Sequence, residues 1–363
     1  ERYVRNLGRL SIYTMTRMDY ERSLMRLTPE QEDAVQAIDR ESEVLIRGGA
    51  GTGKSLILIE ALKRSLEVGE LPFDSNPDRR AVLLTFTRTL AKFEDYMTQL
   101  LQIERVRSLV QTVDAFILDR LRRIDPEYRF DFEIVQTTVE ALPELEFLGT
   151  PELVAEVEIY LFGNVVSRAE YTGEVVPRVG MRRRLSRGQR EQVWEIRKQV
   201  VARMEEERAF SRNFARIKIL EHLATATPEE AERLRDVRTI YLDETQDLTA
   251  GDLMTLKALI TGHLIMASDI QQSIYGVNSP FSRAGLRVAG RTRILRTNFR
   301  NTRQIHAVAQ RFNASMEDGL YAFREGPVPE LYRAGNKEEL DPLLLGKLDL
   351  FLGQLGYEPD NIC

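Results

Sequence analysis

The sequence predicts an α/β fold: a parallel sheet with helices on both faces, interrupted by a helical insertion. Short apolar strand patterns alternate with helical patterns before residue 118 and again after residue 236, which is typical of parallel sheets. Between these two parts the alternation stops, and long, charge-rich helical patterns replace it. A glycine-rich loop follows the first strand and leads into a helix.

The composition excludes several classes of protein. The chain has 363 residues, of which 43% are hydrophobic, and its one cysteine is Cys363. A single cysteine rules out an intramolecular disulfide and a cysteine-based zinc site. No apolar run reaches the ~18–20 residues of a membrane helix, and the N-terminus carries no apolar signal core. We therefore expect a cytoplasmic protein of a reducing compartment, without a membrane partner.

Changes of pattern along the chain predict its domain organisation. At roughly 100–200 residues per domain, this length suggests two or three domains. We expect a leader helix over residues 1–26, a first α/β domain formed by 27–117 and 237–290, a helical insertion over 118–236, and the beginning of a second α/β domain over 291–363.

The individual elements are predicted in chain order from their periodicity. Short apolar runs predict strands at residues 42–47, 81–87, 108–113, 239–242 and 263–268. Helical periodicity covers 56–66, follows the second strand through 101, and dominates the insertion, notably at 186–223. One further strand is expected in the region that starts near residue 291.

A phosphate-binding loop is predicted where the first strand meets its helix. Residues 48–55 read GGAGTGKS and match G-x-x-x-x-G-K-[S/T] in the required strand–helix context. In such loops the lysine, here Lys54, neutralises the β- and γ-phosphates, and the hydroxyl of Ser55 would bind Mg²⁺. The context disfavours the alternative, a glycine-rich turn that binds nothing. The backbone N–H groups expected to face the phosphates include those of Gly51, Thr52 and Gly53.

An acidic segment follows the strand at 239–242, at the sheet edge where ligands bind in such folds. Asp243 can hold Mg²⁺ there, and Glu244 can polarise an attacking water, which indicates hydrolysis. The alternative is an acidic helix N-terminus, since Asp and Glu are favoured in a first turn. Together with the phosphate loop, the hydrolytic interpretation is favoured.

At this point the motifs resemble those of the UvrD/Rep-like superfamily 1 helicases, in the family's order. The resemblance spans residues 27–302 apart from the insertion, and it implies a RecA-like P-loop NTPase domain followed by the start of a second RecA-like domain. ATP and Mg²⁺ are the implied ligands, and single-stranded or partly duplex DNA is the implied partner. The matching segments are 27–31 (LTPEQ, Q motif), 48–55 (phosphate loop), 85–87 (TFT, motif Ia), 112–116 (TVDAF, motif Ib), 243–246 (DETQ, motif II), 269–275 (DIQQSIY, motif III) and 298–301 (NFRN, motif IV).

The resemblance also assigns roles to single residues around the nucleotide. Gln31 would read the edge of adenine, and Phe299 would stack on its ring. Gln272 would sense the γ-phosphate, and Arg300 would reach that phosphate from the second domain. An arginine supplied across a cleft makes hydrolysis depend on domain closure.

Two aromatic residues match family positions that contact bases of a single strand. These are Phe86 and Tyr275. Stacking on aromatic rings tolerates any base sequence, as a translocating enzyme requires. Without the resemblance, packing of Phe86 and Tyr275 in the protein core would be the favoured interpretation.

The chain also departs from the family pattern. Val277 and Asn278 stand where the family usually has Trp-Arg, which removes one stacking surface and one positive charge. Asp114 stands where motif Ib commonly has His, and Leu56 where many relatives have Arg. Motifs V and VI do not follow motif IV, so the resemblance implies a missing C-terminal motor half. A larger assembly is the partner expected of a switch or sensor.

The insertion contains a strongly basic segment. Residues 178–218 carry 13 Lys and Arg against five Asp and Glu, a local charge of +8, while the whole chain carries −5. We expect Arg182, Arg183 and Arg184 to contact nucleic acid. The alternative is an ordinary solvated helix face. For Trp194, which lies in the same segment, the local core is the favoured place.

Three functions fit the sequence. The favoured one is an ATP-dependent DNA helicase or translocase that moves 3′ to 5′ along single-stranded DNA, with polarity taken from the resemblance. The second is a nucleic-acid-stimulated ATPase that acts as a switch or sensor without unwinding. The third, a P-loop kinase or nucleotide-binding module, is disfavoured by Glu244 and by the Q motif.

Overall fold

The computed structural model describes residues 27–68, 80–87, 91–92, 110–173, 178, 183–269, 280–312, 321–354 and 356. The leader helix expected over residues 1–26 lies outside these ranges. Of the helix expected to end at residue 101, the structure describes residues 91 and 92, which are helical.

A six-stranded parallel sheet forms the centre of the fold and confirms the predicted α/β class. Every strand predicted at residues 42–268 is present, within three residues at each end. The strands are β1 (Glu43–Gly48), β2 (Arg80–Thr85), β3 (Val110–Thr112), β6 (Val237–Leu242), β7 (Leu264–Ser268) and β8 (Thr292–Leu295). Along the sheet their order is β3-β2-β6-β7-β1-β8.

Successive side chains of each strand point to opposite faces of the sheet, and both faces are buried here. Leu45 of β1 lies opposite Met266 of β7, and both pack in one hydrophobic cluster. The next pair in the register, Ile46 and Ala267, packs in a separate cluster on the other face. Nearly continuous apolar strands are therefore what this sheet requires.

Helices α1 (Pro29–Ile38) and α2 (Lys54–Val68) cover the second of these faces. The hydroxyl of Thr28 caps α1 by accepting from the backbone N–H of Gln31. Helix α2 begins at Lys54, two residues before its predicted start, because the phosphate loop ends directly in the first helical turn. Lys54 and Ser55 are thereby fixed on a rigid element.

The helical insertion covers the first face, and its core is continuous with the sheet. Trp194, Phe210 and Phe214 of the insertion belong to the same cluster as Leu242 and Met266 of the sheet. The insertion contains a two-stranded pair, β4 (Arg129–Phe130) and β5 (Ala209–Phe210). Its helices are α3 (Val113–Ile124), which crosses the expected boundary at residue 118, α4 (Ile134–Glu140), α5 (Thr150–Ala155) with a π-helical continuation (Glu156–Phe162), α6 (Arg168–Thr172), α7 (Arg187–Glu207), α8 (Arg212–Thr225) and α9 (Pro228–Leu234).

The helical stretch expected at 186–223 is two helices in the structure. Helix α7 ends at Glu207, and the next residue, Arg208, has a φ of 51° in the left-handed region. The short strand β5 follows, and then Ser211 caps the start of α8 by accepting from the backbone N–H of Phe214. Charge-rich periodicity does not reveal this break, since no glycine or proline marks it.

The sheet extends past the boundary expected at residue 291. Strand β8 pairs with β1, so residues 292–295 form the edge of the first sheet. Strands β9 (Thr297–Thr302) and β10 (Tyr321–Arg324) form a separate parallel pair.

The remaining elements are a 3₁₀ turn (Thr245–Asp247), α10 (Ala250–Ala258), α11 (Pro280–Arg283), α12 (Arg303–Phe312), α13 (Lys337–Asp349) and a π-helical turn (Leu350–Gln354). Within the described ranges, no helix is long and apolar enough to cross a membrane.

Candidate nucleotide site

The phosphate loop connects the end of β1 to the start of α2 and folds through two left-handed glycines. Gly51 and Gly53 have φ values of 82° and 87°, which other residues adopt only with strain. A Cβ on Gly53 would lie 2.3 Å from Nε2 of Gln31. The backbone conformation therefore favours glycine at this position, and any larger residue would also have to displace the Gln31 side chain from its hydrogen bond to Thr52.

The side chain of Lys54 folds back against the phosphate loop. The side chain is buried, and Nζ donates to the carbonyl oxygens of Gly48 (3.0 Å) and Gly49 (3.2 Å). Nζ also lies 4.0 Å from Oδ2 of Asp269, a buried carboxylate at the end of β7. The ammonium group is held across the loop, where it could neutralise phosphate charge.

Ser55 and Asp243 meet at the carboxyl edge of the sheet. The Ser55 hydroxyl donates to Oδ2 of Asp243, which is buried directly after β6. Adjacent hydroxyl and carboxylate oxygens are hard ligands of the kind that Mg²⁺ prefers, so this pair fits the ion. The described ranges hold no group of three or more His, Cys, Asp or Glu side chains arranged so that they could bind a metal ion. Substrate phosphates and water would supply the remaining ligands, as is usual for Mg²⁺.

Glu244 sits beside this pair in a strained backbone conformation. Its φ of 51° and ψ of 45° place a non-glycine residue in the left-handed region, which is found often at functional sites. Burial raises the pKa of the Glu244 carboxyl, and the neighbouring Asp243 carboxylate raises it further. A carboxylate with a raised pKa is a better proton acceptor near neutral pH.

The turn after β6 is attached to β7 by two residues that sequence reasoning did not single out for the site. The Thr245 hydroxyl donates to the carbonyl of Ala267. Gln246 donates from Nε2 to Oε2 of Glu244, and its Oε1 accepts from the backbone N–H of Asp269 at 2.9 Å. The letters DETQ contain Gln246, but only the pairing of β6 with β7 reveals what it contacts.

Gln31 braces the phosphate loop. Its Oε1 accepts from the backbone N–H of Thr28 at 3.0 Å, and its Nε2 donates to the carbonyl of Thr52 at 3.0 Å. The side chain is only 3% exposed. Gln31 therefore connects the start of α1 to the loop, while its reading of adenine stays a prediction.

The segment that matches motif IV also contacts the loop. Nδ2 of Asn298 donates to the carbonyl of Ala50 at 2.9 Å, and the backbone N–H of Phe299 donates to the carbonyl of Gly51 at 2.8 Å. Phe299 thus lies next to the loop on strand β9. Two other predicted nucleotide contacts, Gln272 and the side chain of Arg300, lie outside what the structure describes.

The comparison with protein families agrees with this geometry. A family model described as AAA domain matches residues 31–278. The chain belongs to this AAA domain family. The match includes the phosphate loop, the insertion and the acidic segment after β6, so the chain is a P-loop nucleotide-binding protein of the helicase type. A comparison with curated proteins finds no match.

In this member of the AAA domain family, Arg212 covers one side of Phe86, the predicted base-stacking residue. Phe86 lies just after β2, half-buried at the rim of the core. The guanidinium carbon of Arg212 lies 4.8 Å from the centre of its ring. The other predicted stacking residue, Tyr275, lies outside the described residues.

Much of the positive charge of the basic segment is paired with acidic groups or buried. Two arginines pair with acidic groups outside the segment: Arg178 forms a buried ion pair with Glu156, and Arg216 pairs with Asp252 at 2.8 Å. Arg190 is only 4% exposed and donates to the backbone carbonyls of Leu185 and Tyr171. The local charge of +8 therefore overstates what the surface presents.

The predicted arginine cluster lies where the surface is exposed. Arg183 is 61% exposed and donates from Nη1 to the carbonyl of Phe147, and Arg184 is exposed as well. Arg182 lies outside the described residues. Trp194 is buried in the insertion, beneath the guanidinium of Arg197, which confirms its predicted place in the local core.

Proposed function

We propose that this chain is the ATP-binding part of a UvrD/Rep-like motor that hydrolyses ATP and moves 3′ to 5′ along single-stranded DNA. One observation carries the proposal: Ser55, Asp243 and Glu244 meet at the end of the phosphate loop, at one edge of the sheet. A loop, a hydroxyl–carboxylate pair and an adjacent second carboxylate are what hydrolysis of a nucleoside triphosphate requires.

Each residue of this group has a part in hydrolysis. The loop N–H groups and Lys54 bind and orient the phosphates. Ser55 and Asp243 would hold Mg²⁺, which supplies charge neutralisation at the β- and γ-phosphates when bound. Glu244 takes a proton from the attacking water, and Gln246 keeps its carboxylate in place through the hydrogen bond to Oε2.

Motion would arise from the contact between β9 and the phosphate loop. Because Asn298 and Phe299 are hydrogen-bonded to Ala50 and Gly51, a change in the loop alters the position of β9. Phe299 would stack on adenine, and Arg300 would complete the site when the second domain closes. Gln272 would report the γ-phosphate to the strand-binding surface. ATP binding and hydrolysis would then alternate closed and open states.

A switch or sensor ATPase that does not unwind DNA is the second candidate, and Val277-Asn278 in place of Trp-Arg favours it. A P-loop kinase is disfavoured, since a kinase needs neither Glu244 nor the Gln31 brace.

The test is ATP hydrolysis by the complete protein, with the second motor half that the resemblance implies, at increasing concentrations of single-stranded oligothymidylate. Displacement of a strand from duplexes with a 3′ or a 5′ tail is then measured on the same protein. A motor hydrolyses ATP faster when the single strand is bound, and it displaces the strand from the 3′-tailed duplex. Stimulation without displacement would favour the switch. A rate of ATP hydrolysis that does not change when DNA is added would contradict both the motor and the switch.

A further inference from the structure

Arg212, the first residue of α8, is held rigidly at the rim of the sheet. Its Nε donates to both carboxylate oxygens of Asp114, at 2.9 and 3.2 Å. Its guanidinium lies over the ring of Phe86. An ion pair on one edge and a ring under one face fix the plane of the group.

The backbone at Arg212 is also held in place by hydrogen bonding. The fully buried Arg216, one helical turn later, donates from Nη1 to the carbonyl of Arg212 at 2.7 Å. Arg216 also pairs with Asp114 and with the buried Asp252 of α10. The position of Arg212 therefore depends on a buried network that connects the insertion to the helix after the acidic turn.

The Arg212 side chain is partly exposed, and two of its guanidinium nitrogens have no acceptor within the described part of the chain. These nitrogens are Nη1 and Nη2, and 22% of the side chain is exposed. Asp114 already balances its charge, so its attraction for a phosphate is reduced. Its planar face, by contrast, needs no net charge to stack on a base.

We infer that Arg212 is a stacking residue for a base of single-stranded nucleic acid, with Phe86 supporting the guanidinium from below. The base then stacks on the guanidinium of Arg212, and Phe86 supports that guanidinium and does not contact the base directly. Stacking of this kind accepts any base, because every base has a π-face. The inference rests on the proposed single-strand binding, and it assigns a contact to the insertion outside the 182–184 cluster.

The substitution Arg212→Lys separates stacking from charge. Lysine keeps the positive charge and can pair with Asp114, but it has no planar face. The matched control is Arg203→Lys on α7, where an arginine 37% exposed pairs with Glu207 at the protein surface. The probe is a fluorescein-labelled oligothymidylate of about 16 nucleotides, a length that spans one single-strand site.

Fluorescence anisotropy should give about tenfold weaker binding for Arg212→Lys and no more than about twofold weaker binding for Arg203→Lys. The slope of log affinity against log salt should not change, because the protein still neutralises the same number of phosphates. Phe86→Leu, which removes the support, should weaken binding by a smaller factor. Thermal melting verifies that each variant is folded.

Binding by Arg212→Lys and Phe86→Leu that equals binding by the unaltered protein would overturn the inference alone. Weaker binding by Arg212→Lys with a flatter salt slope would also overturn it, since that result indicates that Arg212 binds a phosphate. If the unaltered protein does not bind the oligothymidylate, the inference and the proposed function both fail.

Discussion

The hydroxyl of Ser55 donates a hydrogen bond to Oδ2 of Asp243, although the two residues are 188 positions apart in the sequence. The pair joins the first turn of α2 to the end of β6. Ser55 follows β1 and its loop, and Asp243 directly follows β6. The carboxyl ends of parallel strands lie at one edge of a sheet, so the fold brings the two residues together. The proposed Mg²⁺ site depends on this contact.

Gly53→Ala should strongly impair nucleotide binding. The added Cβ would lie 2.3 Å from Nε2 of Gln31, and the φ of 87° is strained for alanine. We expect ATP affinity to fall more than about tenfold and unfolding free energy to fall by about 1–3 kcal/mol. Isothermal titration and urea unfolding measure the two effects.

Gly188→Ala is the matched control for this substitution. Gly188 lies in α7, and nothing lies within 4 Å of an added Cβ. Alanine should stabilise the helix there by about 0.5–1 kcal/mol and leave ATP affinity unchanged. Equal ATP binding by both alanine variants would show that the loop glycine is not needed.

Asp252→Asn should destabilise the protein in a pH-dependent way. Asp252 and Arg216 are both fully buried and 2.8 Å apart, so the substitution leaves a buried charge that has lost a partner. Burial raises the pKa of Asp252, but Arg216, Arg212 and the hydrogen bonds from Thr249 lower it by more and hold it below its ordinary value of 3.8. We expect a loss of about 3–5 kcal/mol near pH 7.

The sign of the pH dependence follows from the lowered pKa. The stabilisation by ionised Asp252 is fully present above the unfolded value of 3.8 and is lost as the pH falls through the lower folded value. Urea unfolding should therefore give a difference between the two proteins that narrows in acid. Glu195→Gln, in an exposed pair with Lys198, should cost no more than about 1 kcal/mol. A difference that widened in acid would refute this explanation.

Reversal of charge at Arg182, Arg183 and Arg184, each to Glu, tests the predicted contact of the insertion with DNA. Binding of oligothymidylate should weaken, and the salt slope should flatten by about 0.7 for each phosphate that the protein no longer neutralises. Lys198→Glu, on the exposed surface of α7, should change the slope less. Unchanged binding by the triple variant would favour the solvated helix face.

The sequence predicts the strands and the phosphate loop well because both are local patterns. An apolar run bounded by turns defines β1, β6 and β7, and GGAGTGKS defines its own strand–helix context. The meeting of Ser55 with Asp243 follows once the sheet is taken as parallel. These predictions need no knowledge of distant contacts.

Other features depend on contacts that no local pattern encodes. Strand β8 joins the first sheet because its residues pair with β1, almost 250 residues earlier in the chain. Arg212 and Arg216 read as surface charge in a basic segment, yet Arg216 is entirely buried against Asp252. The pairing of charges across helices, not their count, decides which arginines remain at the surface.

Glu244→Gln tests the central claim most directly. Glutamine keeps the size of the side chain but cannot accept a proton from water, so ATP should bind with nearly unchanged affinity while hydrolysis falls by about 100-fold or more. Equilibrium binding of a fluorescent ATP analogue and steady-state phosphate release, measured on the same preparation, give both values. Tight binding with hydrolysis nearly abolished is the predicted result. Near-normal hydrolysis by Glu244→Gln would contradict the assignment of this site as the centre of ATP hydrolysis.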